Sequence, residues 1–431
     1  MRTLKNFKEV PLKNGAVLRY AKNNLNKITT TEIMFNCGSR VEEIPGLAHF
    51  TEHMFFTGTK SLTKEEVTKK YFDFIGSNAH TTYKNICFTG KVFTKEFEQY
   101  IQTVEMLINQ STFAQSAVDK EIKVVQQEIA SSKDNFRRKA GEFHDYNFYQ
   151  METFKNSILG TAESVASIKS KDVKNFVNKY FVAENTEIFV VSPLSLSKVK
   201  AIVENSLVSK LATNSNFEKL PKFLQPAPYK FFNKIKKEAI DKCYIFLNFT
   251  SDRNYYDIEF NQKFSIVLKM LNDASEGIMK DMRYKKSLVY GGGFYDAYHE
   301  TGSYVCFETE CDKENVNEVI ITLAEYLNNI KAVGFEEALL KKVKRKYDYN
   351  EDAQEPRIHE KIGALYILKY LGKVYRKNDL NKLSINTTLT EANEMFNEIF
   401  KNPKLSISIY GNVDKKLFLS DNKIKELFQI K

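Results

Sequence analysis

Apolar and polar residues alternate in short stretches that switch repeatedly between strand-like and helix-like spacing. "AVLRYAKN" (16–23) and "TTTEIMFNCGSR" (29–40) carry β-branched and aromatic residues between Asn and Gly turn signals, and both read as strands. "GLAHFTEHMFFTG" (46–58) changes to a helical period and ends on Gly58, where a C-cap glycine is expected. "SLTKEEVTKKYFDFIG" (61–76) reads as a second helix, with Ser61 or Thr63 as N-cap and acids in its first turn. "SNAHTTYKNICFTGKVF" (77–93) looks extended, and "KEFEQYIQTVEMLINQ" (95–110) spaces Phe97, Ile101, Val104 and Ile108 along one helical face.

One plan occurs twice. Residues 169–193 form a helix pattern, an Asn-containing turn and an apolar strand, and residues 386–412 repeat it, with Phe181 to Ile188 matched by Phe400 to Ile407. An offset near half the 431-residue chain implies an α+β fold of two homologous domains, each a mostly antiparallel sheet packed with helices. The Asn-, Ser- and Pro-rich stretch 212–228 is the expected linker, giving domains 1–215 and 216–431.

Composition narrows the function classes. Hydrophobic residues make up 42% of the chain, enough for two packed cores, and no apolar run is long enough to span a bilayer. The N-terminus "MRTLKNFKEVPLKNG" has no apolar secretory core, which predicts a cytoplasmic chain. Five scattered cysteines with no CxxC read as reduced thiols. The net charge of +10 is spread as Lys interleaved with acids, so no nucleic-acid face is expected.

The chemistry concentrates in 46–58. On a helix, His49 and His53 lie at i and i+4 and can face one ion, and Glu52 sits beside them in the order H-x-x-E-H. A catalytic zinc takes three protein ligands and leaves a fourth position open. "QSAVDKEIKVVQQEIASSKD" (115–134) offers Glu121 and Glu128 along one stripe with Val125, and Glu128 lies 75 residues after His53. His144, His299 and His359 are isolated and read as ordinary packing or surface residues.

Taken together, "GSRVEEIPGLAHFTEHMFFTGT", "NAHTTYKNICFTG" and "DKEIKVVQQEI" resemble the pitrilysin-type M16 zinc peptidases, or inverzincins. The resemblance implies one zinc per chain held by His49, His53 and Glu128, with Glu52 as general base and Glu121 as a supporting acid. It also implies that Asn78 and Ala79 contact a peptide paired along an edge strand; His80 falls at a variable position of the family and is expected to be a side-wall contact rather than a metal ligand. "MRYKKSLVYGGGF" (282–294) is similar to the family's Arg/Tyr element, in which Arg283 holds substrate and Tyr290 stabilises an oxyanion. The family encloses peptides in a four-domain clamshell. A two-domain chain carrying both motifs is therefore expected to be a homodimeric metalloendopeptidase of short unfolded peptides. A subunit of a heterodimeric processing peptidase and a non-catalytic structural homologue are the alternatives.

Overall fold

The computed structural model describes residues 6–430 except 25, 26, 133, 152, 153, 221–230, 300, 354–357 and 415. Residues 221–228 of the expected linker thus lie outside the described residues. Among the described residues, eleven strands form two sheets. The first contains β1 (Phe7–Pro11), β2 (Val17–Lys22), β3 (Ile28–Phe35), β4 (Asn78–Thr81), β5 (Ile86–Phe93) and β6 (Thr186–Ser192) in the order β1-β2-β6-β3-β5-β4. The second contains β7 (Phe232–Lys237), β8 (Lys242–Ser251), β9 (Val289–Tyr298), β10 (Ser303–Asp312) and β11 (Lys404–Gly411) in the order β7-β11-β8-β10-β9.

Apart from β1, the two orders superpose strand for strand. In each sheet one inner strand, β6 or β11, pairs parallel with one neighbour and antiparallel with the other. All remaining pairs are antiparallel. The repeated sequence plan lands on equivalent places: the Ser170–Tyr180 helix leads into β6 and the Leu389–Phe400 helix into β11. The stretch 77–93 is a hairpin rather than one strand, because Thr82 and Asn85 close a turn through backbone and side-chain hydrogen bonds.

Each sheet buries one face under helices from its own half. The opposite faces are covered by exchange. The Phe136–Tyr149 helix of the first half packs Ala140, Phe148 and Tyr149 with Phe246, Tyr304 and Tyr410 of the second sheet. Reciprocally, the Ile358–Leu371 helix packs Ile362, Leu365 and Leu368 with Phe7, Phe189 and Val191 of the first. Each sheet thus keeps apolar residues of its second face from water only through a helix of the other half, so the halves are tied by burial on both sides.

Leu365 is fully buried in that exchanged contact. Leu365→Ala is expected to cost about 2–5 kcal/mol of unfolding free energy in urea titration. A change under about 0.5 kcal/mol would mean that the helix does not cover the first sheet.

Candidate metal centre and active site

The Leu47–Met54 helix has only two turns, so its placement depends on what surrounds it. Leu47, Ala48, Phe50 and Met54 are buried in the first core, leaving the His49 and His53 side of the helix turned outward. Its N-cap is Gly46, in the left-handed region, with no side-chain cap of its own. A Cβ at Gly46 would lie 2.6 Å from the Leu159 carbonyl oxygen, so both conformation and space require glycine there. Glu42 supplies the missing cap: its carboxylate accepts from the Gly46 N–H at 2.8 Å and the Ala48 N–H at 2.9 Å. The helix stops at Met54 with Phe55 as C-cap, three residues before Gly58; the apolar Phe55 and Phe56 rings pack into the core instead of extending the amphipathic pattern.

The Gln115–Ser132 helix lies alongside. Val118, Glu121 and Val125 are buried on its inner stripe, and Glu128 continues that stripe to the surface. Glu128 carboxylate oxygens lie 3.8 Å from His49 Nε2 and 3.6 Å from His53 Nε2. Ligand atoms of His49, His53 and Glu128 all fall within 4.8 Å of one another, the one such cluster among the described residues. A tetrahedral zinc spaces its ligand atoms about 3.3–3.6 Å apart, so small side-chain rotations bring this set to bonding distance. The donors, two imidazoles and a carboxylate, suit zinc by their chemistry.

Behind the cluster, His53 Nδ1 is 3.0 Å from Glu121 Oε1, and Lys64 Nζ is 2.6 Å from Glu121 Oε2. With its proton on Nδ1 toward Glu121, His53 turns the lone pair of Nε2 toward Glu128. Lys64 opens the Lys64–Phe72 helix, whose start is fixed by a capping box between Thr63 and Glu66. Glu52 is buried, and its Oε2 accepts a 2.6 Å hydrogen bond from Thr81 Oγ1 on β4.

The two histidines differ electrostatically. Burial lowers the His49 imidazole to about 3, with the positive fields of His53 and Arg138 adding to it, so His49 is neutral and ready to donate a lone pair. Burial also acts on His53, but the bond and charge of Glu121, with Glu52 and Glu128, outweigh it and raise its pKa. Glu52 is raised by burial against the opposing Thr81 bond. For Glu121, His53 and Lys64 more than reverse the effect of burial and hold the carboxyl below its usual value. The side chain of Glu128 is 44% exposed, against 12% for His49, so the cluster opens to solvent on the Glu128 side.

The other expected site residues fall in two places. Asn78 and Ala79 lie on β4, the edge of the first sheet, and His80, exposed on the same strand, is outside the metal cluster. Arg283 sits in the short helix Lys280–Lys285 and Tyr290 on β9, the edge of the second sheet. The Arg283 guanidinium lies 4.6 Å from the Tyr290 ring centre, and that ring is 80% exposed. No hydrogen bond, ion pair or ring contact among the described residues joins them to the histidine cluster. His144 is buried and stacked on Phe246, while His299 meets the Tyr149 hydroxyl; both are packing residues. The His359 side chain is outside the described residues.

Residues 18–162 match the family model described as insulinase, peptidase family M16, and residues 167–347 match that described as the peptidase M16 inactive domain. The chain belongs to the M16 peptidase family. An uncharacterized zinc protease of Rickettsia bellii is 24% identical over 94% of this chain and 98% of its own. A Bacillus subtilis uncharacterized zinc protease is 23% identical over 76% and 79%. In fold, the M16 inactive domain from Pseudomonas fluorescens superposes with a TM-score of 0.77 at 18% identity over 96% of this chain and all of that one. The first half of the periplasmic protease PqqL from Escherichia coli gives 0.77 at 19% identity over 100% and 97%. The M16 chain here is therefore two sheet-plus-helix domains with the architecture of half a clamshell. No helix among its described residues is long and apolar enough to cross a membrane.

Sequence reasoning missed Glu42, Lys64 and Thr81 in this M16 site. Thr81 had a signal, since it lies two residues beyond Ala79 and so shares its strand face. Glu42 and Lys64 had none, because each acts on a residue of a different element. Removing the helix cap with Glu42→Ala is expected to lower unfolding free energy by about 0.5–2 kcal/mol. Burial raises the Glu42 carboxyl to about 7, against the pull of its two backbone bonds. Its folded pKa exceeds the unfolded one, so its stabilisation is full at low pH and is lost as pH rises toward 7. The gap between wild type and Glu42→Ala in urea melts should accordingly be wider at acidic pH than at pH 8.

Proposed function

We propose that this chain is a zinc-dependent endopeptidase that cuts short unfolded peptides inside a closed chamber. The observation that carries the reading is the convergence of His49, His53 and Glu128 from two helices, with Glu52 beside them and Glu121 behind. In this reading His49, His53 and Glu128 hold one zinc. When bound, zinc supplies Lewis acidity, polarising a peptide carbonyl and bringing the acidity of water near neutral pH. The Glu52 carboxylate takes the proton of the attacking water and passes it to the leaving amine. Glu121, ionised and anchored by Lys64, keeps the His53 ring turned and its Nδ1 proton in place. A peptide adds as a strand along β4 at Asn78 and Ala79, where main-chain pairing gives affinity with little sequence choice.

Arg283 and Tyr290 are assigned to substrate across the chamber, from a second copy of this chain. Both are exposed, Tyr290 on the edge strand β9 and Arg283 in the helix beside it, without a contact to the cluster of their own chain among the described residues, which supports action in trans. Half-clamshell architecture supports a dimer, since a chamber of four domains needs two such chains.

Purified chain with about one zinc should hydrolyse a quenched fluorescent peptide library, and Glu52→Gln should keep the metal and lose the activity. Full zinc-dependent activity in Glu52→Gln would falsify the general-base assignment. Releasing Glu121 with Lys64→Met should weaken zinc about 10- to 100-fold in chelator competition, while Lys64→Arg retains most of the affinity. Tyr290→Phe should lower kcat/KM by about 10²–10³-fold. Co-expressing Tyr290→Phe with Glu52→Gln chains should restore activity, because the mixed dimer holds one intact site. No restoration in a verified mixed dimer means that Tyr290 serves its own chain or none.

A further inference from the structure

We infer that Thr81 is a positioning residue that fixes the general base from the strand that receives the substrate. The inference rests on the reading of Glu52 proposed above. Thr81 closes β4, and its Oγ1 donates to Glu52 Oε2 at 2.6 Å across from the two-turn ligand helix. That bond occupies Oε2, and among the described residues no hydrogen bond takes Oε1, the oxygen that would meet water. Glu52 is buried, so little solvent competes for the bond, and a carboxylate held at one oxygen cannot rotate away from its task.

The same short strand carries Asn78 and Ala79, and it is held firmly in place. Asn78 contributes its carbonyl to the buried Tyr71 hydroxyl at 2.8 Å and to Thr89 Oγ1 at 3.1 Å. All four β4 residues pair with β5. A peptide pairing along this strand and the carboxylate that deprotonates water are thus referenced to one four-residue segment. Misalignment of either against the other would reduce the rate of the chemical step more than the affinity.

The test uses the full chain loaded with zinc, with Thr81→Val and Thr81→Ser beside wild type and Glu52→Gln. Valine keeps the β-branch and volume and deletes only the hydroxyl. Thr81→Val should lower kcat about 10-fold on one quenched fluorescent peptide, with KM within about twofold, and with zinc content and melting temperature as in wild type. Thr81→Ser should return kcat to within about threefold of wild type. Wild-type kcat in Thr81→Val, or a serine variant as slow as the valine one, overturns the inference. If Glu52→Gln is inactive while Thr81→Val is normal, only the role of Thr81 fails; if Glu52→Gln is fully active, the reading of the site fails with it.

Discussion

The site depends on burying one face of an eight-residue helix. Two turns are too few to be stable in water by themselves, so the Leu47–Met54 segment is helical because Leu47, Ala48, Phe50 and Met54 are packed into the first core. That burial leaves His49 and His53 on the open side with ring centres 4.6 Å apart. The Gly46 and Gly160 backbones, each leaving no room for a Cβ, and the Glu42 cap fix where the helix begins. Without those constraints the two imidazoles would have no defined position to offer an ion.

Charge is arranged around this helix in a graded way. Buried His49 is kept neutral, whereas His53 is flanked by Glu121, Glu52 and Glu128 and is drawn toward its protonated form in the absence of metal. A cation placed among them would displace that proton and satisfy the same carboxylates, which is why a cluster of acids around two histidines is tolerable at all. Lys64 adds the compensating charge for Glu121 from the outside, where its own side chain is still half in water.

The two domains share a sheet order but not a task. The first half brings His49, His53 and Glu128 together from two helices near its edge strand β4, while the second presents Arg283 and Tyr290 at the equivalent edge. The exchanged helices Phe136–Tyr149 and Ile358–Leu371 tie each sheet to the other half. A cavity of about 940 Å³ between the halves is lined by Tyr83, Tyr149, Tyr255 and Tyr304 among others and does not include the histidine cluster.

What the sequence determined by itself is local and periodic. Helical spacing put His49, Glu52 and His53 on neighbouring positions, the stripe of Glu121, Val125 and Glu128 was legible, and a repeated helix–turn–strand plan announced two related domains. Each of these follows from residue spacing within one element or from repetition along the chain. The tertiary structure decided which acid meets which nitrogen: Glu128 faces the two Nε2 atoms, and Glu121 lies at Nδ1 of His53. It also revealed Glu42, Lys64 and Thr81, and the helix exchange between halves. The Glu42 cap is local, reaching N–H groups four and six residues on, but the Thr81, Lys64 and exchanged-helix contacts join elements dozens to hundreds of residues apart, and their partners are chosen by how whole elements pack, which no local period encodes.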